Sequence, residues 1–166
     1  MCLPLNFTST WHCSIRLSPI AENFPMEIDD LPYQFPEGLR VFVINHDTTQ
    51  LHVIANMCFQ CNYRVATCIL ASFALHLLRE TNGRFFYVIL IEAQMSDMDS
   101  YQFLQRVTQE IKIPVIMMCA DNTTSERMNA IEKGACDYWL KPLNVNHINN
   151  MWQQFKNMNK FKEYFR

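Results

Sequence analysis

The residues of this sequence with chemical potential stand where apolar runs stop. "LRVFVI" runs into Asn45, His46 and Asp47. "FYVILI" stops on Glu92, and a loop carrying Asp97 and Asp99 follows. "PVIMM" stops on Cys119, ahead of Asp121, and "CDYWL" stops on Lys141, ahead of Pro142. A carboxylate and an ammonium group make an ion pair. Imidazole, carboxylate and thiolate are ligand types for zinc or copper, so His46, Glu92 and Cys119 form a conceivable soft-metal set. They supply three ligands where a structural zinc site needs four, and no metal is expected. "CFQC", Cys58 to Cys61, has CxxC spacing without a second pair, and it closes a helical stretch where a thioredoxin-like motif would open one. Those thiols read as packing or surface residues. With glycine only at 38, 83 and 134, no phosphate-cradling loop follows the first strand, and no nucleophile elbow appears. The chain does not read as an enzyme.

The elements that must position these residues follow from periodicity. "LRVFVIN", "YRVATC", "FFYVILI", "PVIMMC" and "CDYWL" are short apolar or β-branched runs, the pattern of strands. Helical spacing fills the gaps: Leu51, Ile54, Ala55 and Cys58; Phe73, Leu77 and Leu78; Tyr101, Leu104 and Val107; and "TSERMNAIEKG", with Thr124 or Ser125 as its cap and Gly134 as its stop. "NVNHINNMWQQFKNMNKF" predicts a long last helix with Ile148, Met151 or Trp152, and Phe155 inward. The order is βαβαβαβαβα. Strands apolar on both faces and alternating with helices mean a parallel sheet covered on both sides. In such a sheet, ligands sit outside the carboxyl ends of the strands, where the polar residues above fall.

Length and composition bound the rest. The chain has 166 residues and is 49% hydrophobic, enough for one domain with a substantial core. Residues 1–37 hold most of the prolines, lack a period and read as an irregular extension. Residues 38–160 carry the alternating pattern, and 161–166 form a tail. A net charge of −2 gives no bulk attraction to nucleic acid or anionic membranes. No apolar run approaches the ~20 residues that span a bilayer, and the first residues lack the basic start of a secretory signal. Scattered cysteines, seven in number, suit free thiols in a reducing compartment.

"VFVINHD", "ILIEAQMSDMDS", "PVIMMCAD" and "GACDYWLKPL" together resemble the receiver domain of response regulators, over about residues 38 to 160. "CNYRVATC", "MSDMDS", "PVIMMCADN", "GACDYWLKPL" and "INNMWQQ" are most similar to the type-B response regulators of plants. The resemblance implies a doubly wound, flavodoxin-like (βα)5 fold with strand order 2-1-3-4-5. It implies a phosphoaccepting aspartate ending the third strand, an acidic pair after the first that helps hold Mg²⁺, a hydroxyl ending the fourth, and a lysine ending the fifth. Mg²⁺ wants hard oxygen ligands in octahedral geometry, and metal and lysine neutralise the transferring phosphoryl group.

This sequence departs from that pattern. Asn45 and His46 stand at the acidic pair, Glu92 at the phosphoacceptor and Cys119 at the hydroxyl; Lys141 alone is kept. An amide and an imidazole are poor Mg²⁺ ligands, and glutamate carries its carboxylate one methylene too far for in-line attack, where ~1 Å of misplacement can cost about a hundredfold. The expectation is a pseudo-receiver, with Mg²⁺ binding lost and no cofactor. Glu92 could mimic an aspartyl phosphate weakly, since it carries one charge against about −1.5 to −2. It could instead be a structural residue paired with Lys141, with His46 neutral and hydrogen-bonded to it. A third reading moves phosphate acceptance to Asp97 or Asp99, as in a working response regulator. Clock-associated pseudo-response regulators also resemble the pattern, with glutamate at this strand end.

The resemblance further implies protein partners on the surface of the fourth helix, fifth strand and fifth helix, with Tyr138 as an aromatic that turns with the switch and Trp139 and Trp152 nearby. It suggests cytokinin-type signalling, transcription control and the nucleus, otherwise the cytoplasm. In the type-B group a Myb-like DNA-binding domain follows the receiver. No strongly basic stripe is present here, so direct nucleic-acid binding is not expected, nor is membrane binding.

Overall fold

A computed structural model of the protein describes residues 16–17 and 37–154. The strands are β1 (Arg16–Leu17), β2 (Arg40–Ile44), β3 (Arg64–Cys68), β4 (Val88–Glu92), β5 (Val115–Cys119) and β6 (Asp137–Leu140). The helices are α1 (Thr48–Gln60), α2 (Ala71–Thr81), α3 (Ser100–Arg106), α4 (Thr124–Glu132) and α5 (Val145–Asn150). The sheet runs β1-β3-β2-β4-β5-β6. Its five strands from β2 to β6 are parallel and, numbered by themselves, follow the order 2-1-3-4-5. The fold is the doubly wound, flavodoxin-like one that the alternation and the resemblance imply.

Burial on both faces explains the unbroken apolar strands. β2, β4 and β5 are buried at every position. On one face Phe42, Ile89, Val115 and Met117 pack under Leu75 and Leu78 of α2, Phe103 and Leu104 of α3, and Ala130 of α4. Phe42 and Phe86 stack there with ring centroids 4.4 Å apart. On the other face Val41, Val43, Leu90 and Met118 meet Leu51, Ile54 and Cys58 of α1 and Ile148 of α5.

The structure corrects several sequence expectations. The extension is not wholly irregular, because Arg16 and Leu17 pair antiparallel with Thr67 and Ala66 on the outer edge of β3. α4 is capped by Thr123, whose hydroxyl accepts from the Glu126 N–H, rather than by Thr124 or Ser125. α2 turns Ala71, Ala74, Leu75 and Leu78 inward, leaving Phe73 and Leu77 at the margin of the core. α3 passes into one π-helical turn, Val107–Ile111, closed by a Lys112 N–H to Val107 carbonyl bond. Within the described residues α5 gives way after Asn150 to a 3-10 turn, Met151–Gln154. Its asparagine-rich sequence propagates helix poorly. Phe155, Phe161 and the boundary at 160 lie outside the described residues.

Candidate functional site

The carboxyl ends of β2, β4, β5 and β6 open at one edge of the sheet, and local rules set what stands there. Asn45 leaves β2 fully buried. Its Oδ1 accepts the Asp47 N–H at 3.0 Å, a short turn that leads the chain into α1. Asp47 then caps α1, its Oδ1 accepting the N–H groups of Thr49 and Gln50 at 2.9 and 3.2 Å. Asp47 thus has a structural task that its place one residue beyond the pair did not reveal.

Glu92 is 2% exposed. Its Oε2 lies 2.5 Å from Lys141 Nζ, and Oε1 accepts the Gln94 N–H at 3.3 Å. Its main-chain oxygen accepts the Ser100 hydroxyl at 2.7 Å, which ties the start of α3 to the end of β4. Lys141, in a cis peptide bond with Pro142, extends from the end of β6. Nζ donates also to Gln50 Oε1 at 3.0 Å. Asn45 Nδ2 donates to that same oxygen at 3.0 Å, and Gln50 Nε2 donates to Asp47 Oδ2 at 3.3 Å. Gln50 is therefore a central member of the site, and sequence reasoning missed it. A single glutamine in the first turn of a helix carries no spacing signal.

His46 does not join them. It is exposed and makes no hydrogen bond to Glu92, so a neutral histidine bonded to that carboxylate is not what the structure holds. Among the described residues no group of three or more His, Cys, Asp or Glu is arranged to hold a metal ion. The soft-metal set of His46, Glu92 and Cys119 is not assembled. Mg²⁺ fits no better. It needs several free, hard oxygens pointing at one spot. Here the Asn45 oxygen makes the turn before α1, Asp47 Oδ1 caps that helix, Asp47 Oδ2 accepts the Gln50 amide, and Glu92 is held by lysine.

Asp97 and Asp99 also have structural tasks. Asp97 accepts the Ala71 and Ser72 N–H groups at 3.1 and 2.9 Å and the Ser72 hydroxyl at 2.7 Å, so it holds the start of α2. Partial burial pushes its carboxyl up, but these hydrogen bonds outweigh that and hold it below the usual range. Asp99 caps α3 through the Tyr101 N–H at 2.8 Å.

Cys119 is buried, and its sulfur accepts the Asp121 N–H at 3.3 Å. Tyr138 is turned inward, 5% exposed, with its hydroxyl donated to the Asp121 carbonyl at 3.0 Å. Burial above all, then the Cys119 thiol, raises its pKa. Tyr101 donates to Glu126 and so links α3 to α4. Trp139 is core: its Nε1 donates to Asp137 Oδ2 at 2.8 Å, and its ring lies 5.4 Å from that of His147. Trp152 is half-buried against the same side. Exposed apolar side chains in these elements are Met128 and Ile131 of α4, Leu140 of β6 and Val145 of α5. In the CxxC pair Cys58 is fully buried, and burial followed by the Cys61 thiol pushes its pKa well up, the opposite of a reactive thiolate.

Residues 41–153 match the response regulator receiver domain family. The chain belongs to that family. A rice two-component response regulator, ORR26, is 41% identical over 131 residues, covering 78% of this chain and 22% of its own length. ARR11 of Arabidopsis thaliana is 42% identical over 118 residues, covering 71% of this chain and 22% of its own length. The chain thus spans about a fifth of the curated relatives it matches. A response regulator from Clostridium difficile superposes with a TM-score of 0.65 at 18% identity, over 73% of this chain and 98% of that one. A CheY-like receiver from Methanospirillum hungatei gives 0.63 at 20% identity, over 75% and 98%. This receiver is related to plant two-component response regulators. The five parallel strands and five helices described above are its receiver fold.

Proposed function

We propose that this receiver domain is a pseudo-receiver: a non-enzymatic, phosphorylation-independent protein-interaction module that binds no Mg²⁺. The observation that carries the reading is the buried Glu92–Lys141 contact at 2.5 Å. Phosphotransfer onto a strand-end carboxylate needs the lysine free to meet an incoming phosphoryl group. Here the strand-end carboxylate already neutralises it, with Gln50 Oε1 as second acceptor. Phosphate acceptance by Asp97 or Asp99 is disfavoured, because each carboxylate caps a helix. The inward Tyr138 and the exposed Met128, Ile131, Leu140 and Val145 support a protein partner on the α4–β6–α5 side. Similarity to plant response regulators supports a type-B-like role in transcription control, in cytokinin-type signalling and in the nucleus. Glu92 at the strand end also leaves room for the clock-type pseudo-response regulators as the nearer group.

The test is an amide NMR titration of the domain with Mg²⁺ and then beryllofluoride. Silence at Asn45, Glu92, Cys119 and Lys141 is expected. Saturable shifts there that spread to Tyr138 and α4 would overturn the reading.

A further inference from the structure

Gln50 bonds to residues from three separate parts of the site. Its Oε1 accepts from Asn45, just after β2, and from Lys141, at the end of β6, both at 3.0 Å. Its Nε2 donates to Asp47, the α1 cap, at 3.3 Å. The bond to Lys141 joins residues 91 apart in sequence. We infer that Gln50 replaces a divalent cation as the cross-link of this corner, and is itself the residue that keeps the corner closed to metal. The inference deepens the pseudo-receiver reading and rests on it.

The chemistry of the amide explains why it suits this task. A cation gathers oxygens alone. An amide offers an acceptor on one side and donors on the other, so it can join a lysine and an asparagine donor to an aspartate acceptor. It also satisfies a second hydrogen of the Lys141 ammonium, which is largely buried and would otherwise face Glu92 alone. The remaining oxygens are taken: Asn45 Oδ1 by the Asp47 N–H, Asp47 Oδ1 by two α1 N–H groups, and Glu92 Oε1 by the Gln94 N–H. Nothing in this set depends on the acids that Asn45, His46 and Glu92 displaced. An aspartate at 45 could no longer donate to Gln50, yet Lys141 still would, and Asp47 would still receive Nε2. Restoring acids alone therefore leaves the corner bridged.

The test compares two variants of the full chain, N45D/H46D/E92D with and without Q50A, titrated with MgCl2 and followed by amide NMR. The expected result is Mg²⁺ binding at least tenfold tighter when Gln50 is removed as well. Equal affinities, or binding by neither variant, would overturn the inference. A second measurement uses the natural sequence and Q50A alone. Amine acylation of Lys141, read by peptide mass spectrometry, should be several-fold faster in Q50A; an unchanged rate would overturn the inference independently. Its failure is distinguishable from failure of the pseudo-receiver reading. A Mg²⁺ response in the natural chain sinks that reading, whereas equal variants beside a silent natural chain sink only the role of Gln50.

Discussion

Tyr138 on β6 donates its hydroxyl to the main-chain oxygen of Asp121, 3.0 Å away in the loop between β5 and α4. The side chain is buried, so the bond pins that loop from beneath. Tyr101 braces the same region from α3 through Glu126. The β5–α4 loop and the start of α4 are thus held from two elements, β6 and α3. Tyr138→Phe removes one bond and takes from the Asp121 carbonyl its tyrosine donor. A loss of about 1 kcal/mol in urea unfolding is expected, with amide shifts confined to residues 119–126. A variant indistinguishable from the parent would show that the loop is held by other means.

Alkaline pH should loosen the fold in a defined order. Burial, then the Asp137 carboxylate, pushes the Cys136 thiol up from 9.0 to about 12. Burial is also the chief cause that raises the phenols of Tyr63, Tyr101 and Tyr138 above 10.0. Each group is neutral in the fold and ionises more readily when unfolded. The stability they contribute is complete below their unfolded pKa values and is lost as pH rises toward the folded ones. Thermal midpoints should therefore begin to fall near pH 9 for Cys136 and fall faster above pH 10. Buried Cys58, raised from the same 9.0, adds to that first part, so a Cys136→Ala variant should shrink it without abolishing it. A profile unchanged by the substitution would refute the assignment.

The Glu92–Lys141 pair should show the asymmetry of a buried ion pair. Lys141→Met leaves the Glu92 carboxylate, 3% exposed, without its cation. Breaking a pair in this way costs about 3 kcal/mol or more, whereas replacing both members with apolar groups is often close to neutral. Lys141→Met should lower the urea midpoint sharply, and Glu92→Met with Lys141→Met should recover most of the loss. If the double variant is no better than the single, the pair is not what holds this edge together.

The parts legible in the sequence were those that burial dictates. β2, β4 and β5 are apolar at nearly every position because helices cover both faces; their ends mark where Asn45, Glu92 and Cys119 emerge, and the end of β6 marks Lys141. What was not legible depends on single side chains or on pairing. Gln50 looks like any polar residue in a helical first turn, and only the approach of Lys141 from β6 reveals its role. Thr123, Thr124 and Ser125 are three successive hydroxyl residues, and backbone geometry selects the first as cap. His46 follows a buried asparagine, and the turn made by Asn45 Oδ1 leaves it in solvent. Arg16 and Leu17 form too short a strand to show a period, and the edge of β3 alone defines it.

Gly83 sits in the turn after α2 with φ at 66°, and a Cβ there would stand 2.4 Å from Ile111 Cγ2 and from Ile113 Cδ1. Both neighbours belong to the end of the π-helical turn and the approach to β5, beneath α2. Gly83→Ala combines left-handed strain with overpacking, and a loss of about 2 kcal/mol or more is expected from those two effects. Gly83→Ala with Ile113→Val should regain part of it if packing contributes. No recovery would assign the whole cost to the backbone.

The outer edge of β3 offers the last test. Without β1, the edge of Arg64–Cys68 would present unpaired N–H and C=O groups on a strand containing Val65, Ala66 and Thr67. Such an edge is a template for pairing with another chain. Removing residues 1–17 should speed amide exchange at Thr67, which faces β1, about tenfold or more and leave Ala66, which faces β2, little changed, since exchange reports the opening of local hydrogen bonds. It should also raise the self-association seen in sedimentation velocity at high protein concentration. Restoring the segment as a separate peptide should reverse both effects if main-chain pairing is what protects the edge. Unchanged exchange after truncation would mean that the pairing of Arg16 and Leu17 with β3 contributes nothing in solution.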